Sequence, residues 1–112
     1  MIRPPPPPLG EFELLVVLAV ARLGDAAYPL AIRDEIEART GRAASRAAVF
    51  ITLERLEEKA LLRSRYGQPT PVRGGRAKRF FTLTADGLKA MRHSIDSVTA
   101  LADGLEPLLR KR

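Results

Sequence analysis

Between Tyr66 and Lys78 the chain holds Gly67, Pro69, Pro71, Gly74 and Gly75. Glycine opens left-handed backbone at no steric cost, while proline fixes φ and removes a hydrogen-bond donor, so no helix or strand runs through such a cluster. The cluster predicts a loop. On either side of it, Leu61–Arg65 and Arg79–Leu83 alternate weakly between apolar and polar residues. They predict two short antiparallel strands joined as a ribbon. A two-stranded ribbon cannot stand alone in water, so the core must come from the rest of the chain.

That rest reads as helices. Leu14–Ala21 is apolar without a break and ends Ala19-x-Ala21, which imitates a secretory signal. Against export, Glu11 and Glu13 stand where such a signal is positive, Pro4–Pro8 precede it, and eight apolar residues fall far short of the roughly 20 that span a bilayer. Glu11–Leu23 therefore predicts a buried first helix in a cytoplasmic protein with no membrane partner, behind a disordered, proline-rich tail over 1–8. A helix apolar nearly all round needs cover on more than one face, which points to a second subunit. Gly24–Ala27 breaks it. Pro29 suits a first helical turn and Gly41 a C-terminal cap, and between them Leu30, Ile32 and Ile36 alternate with Asp34, Glu35 and Glu37 in an amphipathic second helix. Ser45 predicts an N-cap for a third helix, whose Val49, Leu53, Leu56 and Ala60 form one narrow apolar stripe. Thr84 caps a last long helix that begins near Ala85.

Charge narrows the function. The net charge is +6, and it is unevenly spread. Ala38–Leu83 carries eleven basic residues against three acids, a surplus of eight, whereas the remainder has eight against ten, a deficit of two. No acid lies between Lys59 and Ala85. Such a footprint selects a polyanion. The absence of Cys and the lone His93 leave no thiolate or histidine cluster for a metal, and no nucleophile–base pair has a recognisable spacing, so neither an enzyme nor a cofactor is expected. Six aromatic residues are few for stacking single-stranded RNA.

The order helix-helix-helix-strand-strand-helix, mainly α with a small β-ribbon, describes a winged helix-turn-helix. Double-stranded DNA is the expected partner. A third helix with a capped N-terminus enters a major groove with its N–H groups and positive dipole end towards phosphate. With Val49, Leu53 and Leu56 facing the core, Ala47, Phe50, Ile51 and Glu54 project from the other side. Ser45, Arg46, Ala47, Phe50 and Ile51 are the candidate contacts on this helix. Ala47 and Ile51 suit thymine methyl groups, Arg46 suits guanine or phosphate, and Phe50 either meets the DNA or packs beneath the second helix or the ribbon. In the ribbon, Arg73, Gly74, Gly75, Arg76, Lys78 and Arg79 are the candidate phosphate contacts, the glycines letting the backbone approach closely. Strand alternation keeps Arg76, Lys78 and Arg79 from all pointing one way, so at least one is a solvated bystander.

Several stretches resemble the PadR-type bacterial transcriptional regulators. They are Leu9–Leu15, Glu37–Gly41, Ala48–Lys59, and Pro69–Thr84 with its Arg-Gly-Gly-Arg-x-Lys-Arg run, followed by Gly87. The resemblance spans about residues 9–92. It implies a short-form regulator: a DNA-binding domain over 9–84, a C-terminal dimerisation helix over 85–109 and a basic tail over 110–112. It also implies a homodimeric repressor. Ala60 stands where the family has a glycine, and it costs about 1 kcal/mol if the left-handed conformation is kept.

The last helix carries Leu88, Met91, Ile95, Val98, Ala102, Leu105 and Leu109 at alternating steps of three and four, an a/d seam longer than one small domain can cover. Phe12, Leu15, Leu88, Met91, Ile95, Val98, Ala102 and Leu105 are thus the expected dimer interface, with Asp103–Gly104 and Pro107 as weak points. The resemblance also leaves room for a small-molecule effector at this boundary, lined by Leu15, Leu18, Met91, Ile95 or their neighbours, with no Trp to stack it. The alternative to a DNA-binding regulator is a winged-helix interaction module whose basic ribbon binds an acidic protein.

Overall fold

The computed structural model describes residues 8–68 and 77–110. Four helices and a ribbon follow one another: α1 (Glu11–Leu23), a single 3-10 turn (Gly24–Ala26), α2 (Pro29–Thr40), α3 (Arg46–Glu58), β1 (Leu62–Tyr66), β2 (Arg79–Leu83) and α4 (Ala85–Ala102), with a final turn α5 (Glu106–Leu109). The architecture is a winged helix-turn-helix, as the order of elements in the sequence predicts.

Local chemistry sets most of the boundaries. Gly10 precedes α1, and its N–H donates to Glu13 Oε1 at 2.9 Å. That carboxylate also accepts from Lys59 Nζ at 2.9 Å, tying the start of α1 to the end of α3. Pro29 occupies the first turn of α2, where its missing N–H costs nothing, and Gly41 closes the helix in the left-handed region at φ 70°. α3 ends on a Schellman turn. Leu61 N–H donates to the Leu56 carbonyl and Ala60 N–H to that of Glu57, with Ala60 at φ 62°. An alanine there bears the strain that a glycine would avoid. Ala60→Gly should raise stability by up to about 1 kcal/mol, read as a higher urea midpoint at unchanged slope.

The same turn corrects one expected boundary. Leu61, expected to begin the first strand, spends its N–H on the helix cap, so β1 starts at Leu62 and runs to Tyr66. The ribbon is antiparallel, with Leu62 opposite Leu83, Ser64 opposite Phe81 and Tyr66 opposite Arg79. The core gathers Val16, Val17 and Val20 of α1, Ile32 and Ile36 of α2, Val49, Leu53 and Leu56 of α3, Leu62 and Phe81 of the ribbon, and Ala90 of α4. Phe81 is fully buried and donates its N–H to the Ala27 carbonyl at 2.8 Å, which anchors β2 beneath the helices. Leu9 N–H donates to the buried Ser94 Oγ at 3.2 Å, so the chain ahead of α1 docks on α4. The helix expected over 85–109 breaks at its weak point. α4 stops at Ala102, and Gly104 turns the chain at φ 86° before α5.

Candidate nucleic-acid interface

The outer face of α3 is built by its cap and its stripe. Ser45 Oγ accepts from Ala48 N–H at 3.0 Å, holding the first turn open to solvent. Val49, Thr52, Leu53 and Leu56 are buried, which turns Arg46, Ala47, Phe50 and Ile51 outward. Phe50 is 49% and Ile51 55% exposed, so neither tucks beneath α2 or the ribbon. Phe50 and Arg46 instead line a shallow notch of about 320 Å³ with Pro29 and the exposed Leu30 at the start of α2.

The ribbon carries outward charge of its own. Alternation along β1 buries Leu62 and turns Arg63 and Arg65 outward. These two arginines were legible as ribbon cations from the strand period but were not among the expected contacts. Arg65 lies 4.9 Å over the Phe80 ring, and Tyr28 meets Phe80 edge-on at 5.8 Å. The exposed Lys78 places its Nζ 4.1 Å from the Tyr28 centroid. An aromatic pair thus carries a cation at each end, joining the start of α2 to the ribbon, each contact contributing on the order of 0.5–1 kcal/mol. Arg73, Gly74, Gly75 and Arg76 lie outside the described residues.

Arg79 differs from the other ribbon cations. Its side chain is 21% exposed and turned against α3. Nε donates to Ser64 Oγ at 3.1 Å, while Nη1 and Nη2 bond Glu54 and Glu57 respectively. The guanidinium also lies 4.9 Å over the Phe81 ring. Glu57 in turn accepts from both Ser64 Oγ at 2.6 Å and Ser64 N–H at 3.0 Å. The Ser64 hydroxyl bond lowers the Glu57 carboxyl below its ordinary range against burial, which raises it, and the Arg79 charge adds to the lowering.

The residues expected at a subunit boundary divide into two groups. Phe12, Leu15 and Met91 are half-buried and pack on the domain's own core. Leu88 and Ala102 are half-buried as well. Ile95, Val98 and Leu105 stand open, joined by Leu101 at 84% and Leu108 at 80% exposure. The face of α4 that meets its own domain is Gly87, Ala90 and Ser94 with the half-buried Met91 beside them, which leaves the distal half without cover in the single chain. Leu15 and Leu18 do line a groove, of about 210 Å³, between α1 and α2 with Ala19, Ile36, Arg22, Glu35, Arg39 and Thr40. Met91 and Ile95 are not part of its lining.

Among the described residues no group of three His, Asp or Glu is placed to hold a metal ion, and no helix is long and apolar enough to cross a membrane. A capped, outward-facing third helix beside a cationic ribbon defines the class as a winged helix-turn-helix. The model of the transcriptional regulator PadR-like family matches residues 17–93, more than half of the chain, and the chain belongs to that family. Its fold is similar to a PadR family transcription regulator from Clostridium difficile R20291, with TM-score 0.69 and 22% identity over 90% of this chain and 100% of that one. It is also similar to a PadR family regulator from Eggerthella lenta, with TM-score 0.66 and 24% identity over 91% and 88%. A third likeness is to F93 from STIV, described as a winged-helix DNA-binding protein, with TM-score 0.63 and 18% identity over 81% and 90%. No curated protein matches the chain in sequence.

Proposed function

We propose that this transcriptional regulator is a homodimeric repressor that reads a palindromic operator in double-stranded DNA. The observation that carries the reading is the outward row Arg46, Ala47, Phe50 and Ile51 on a helix whose first turn is held by Ser45. A helix fits the major groove, and this row offers one cation for guanine or phosphate and apolar surface for thymine methyl groups. Arg63, Arg65 and Lys78 then meet the backbone, with Arg73 and Arg76, flanking Gly74–Gly75, as further proposed phosphate ligands. The open distal face of α4, from Ile95 to Leu105, supports pairing of two chains, since an exposed apolar seam of this kind is covered in soluble proteins by a second copy. Two copies would place their recognition helices roughly 34–36 Å apart, one turn of DNA.

A gel-shift titration on the DNA upstream of the protein's own coding sequence tests this reading. Binding should be sequence-selective, and about ten neutralised phosphates per dimer give a slope of log affinity against log salt near −9. Weak binding without sequence preference, or none in dilute buffer, would overturn it and favour a protein-interaction module.

A further inference from the structure

Glu54 lies three residues beyond Ile51 and seven beyond Ala47, so it continues the outward row of α3 rather than the buried stripe. Its side chain is 40% exposed. Glu57 follows one turn later at 31%. Left alone, Glu54 and Glu57 would add to the exposed Glu58 in opposing an approaching phosphate backbone with like charge. From β2, Arg79 reaches both. Its three guanidinium nitrogens are each engaged, by Ser64, Glu54 and Glu57, and its position over Phe81 fixes the plane of the fork. Lysine could not do this, because a point ammonium lacks the planar geometry that spans two carboxylates at once.

We infer that Arg79 is a positioning residue for DNA binding, one that offsets half of the negative charge of Glu54 and Glu57 and holds the ribbon against the recognition helix, and is not a phosphate ligand. This rests on the reading of α3 as the groove-entering helix. In it, the basic ribbon divides its labour. Arg63, Arg65 and Lys78 face outward, whereas Arg79 faces inward on Glu54 and Glu57.

The test compares the full-length wild type, Arg79→Met, and the triple variant Arg79→Met/Glu54→Gln/Glu57→Gln on one selective duplex, each titrated over a range of salt. Arg79→Met should weaken binding at least about tenfold, because it bares both carboxylates. The triple variant carries no uncompensated charge, so it is the arm that keeps the fold should the single variant unfold. It should recover to within about threefold of the wild type, with an unchanged salt slope. A triple variant no tighter than Arg79→Met overturns the inference. A slope shallower by about one per subunit would identify Arg79 as a phosphate ligand. A folded Arg79→Met that binds like the wild type overturns it too. If the wild type itself fails to select a duplex, the regulator reading falls and the role of Arg79 in DNA binding falls with it, whereas a selective wild type with an unrescued triple variant overturns the role of Arg79 alone.

Discussion

Gly87→Ala is expected to lower stability by about 3 kcal/mol, at the upper end of what an overpacked site costs. A Cβ on Gly87 would lie 2.0 Å from the Leu61 carbonyl oxygen and 3.0 Å from its carbon, both backbone atoms. Neither can withdraw. Leu61 N–H is bound to the Leu56 carbonyl at 2.9 Å, and Leu61 O accepts from Thr84 N–H at 3.2 Å. Thr84 closes the joint by donating Oγ1–H to the Ala60 carbonyl at 2.7 Å while accepting from Gly87 N–H at 3.0 Å. The end of α3, the entry to β1 and the start of α4 therefore meet at one backbone crossing that only a residue without a side chain allows. Alanine is the better helix former by up to about 1 kcal/mol, and the clash must exceed that gain before any loss is seen. Against a total stability of about 5–15 kcal/mol the loss is large. A urea titration that returned the wild-type midpoint for Gly87→Ala would contradict this packing.

Ala47→Glu should do the opposite, sparing the fold and abolishing selective binding. Ala47 is exposed in the first turn of α3, where an acid is favoured by the helix dipole, so thermal unfolding should shift little. On DNA the added carboxylate would stand in the major groove among base-edge acceptors and phosphates. At about 1–3 kcal/mol for each lost base contact, and with two subunits affected in the proposed dimer, affinity for the selected duplex should fall roughly a hundredfold or more. Gel shift and thermal melting on the same preparation separate the two effects. Retained operator binding by a stable Ala47→Glu protein would remove α3 from the groove.

Much of this fold is legible along the chain because its signals act over a few residues. Ser45 and Thr84 cap helices through hydroxyls that accept N–H groups three residues on. Pro29 and Gly41 bracket α2 through backbone restrictions of their own. Ala60, expected to end the apolar stripe of the third helix, instead lies exposed beyond the helix end in the left-handed turn that closes it. The outward row of α3 follows from a period of 3.6 once its apolar stripe is recognised. The first strand begins one residue later than alternation suggests, because the Leu61 amide closes the helix before the ladder begins. Which leucines of the last helix belong to the domain is not written in its heptad. Gly87, Ala90 and Ser94 take that face, and two small residues and a glycine carry little hydrophobic signal.

Arg79 shows the boundary between the two kinds of information most clearly. Taken along the chain it is one more cation in a basic ribbon, indistinguishable from Lys78. Its partners are 22 and 25 positions away, and they become neighbours only when the ribbon folds back on α3. Order of elements, helix ends and the siting of positive charge were set by near-neighbour sterics and hydrogen bonds, which the linear text spells out. Which charges remain free for a partner was settled by packing, since an ion pair is defined by distance in space and not by separation along the backbone.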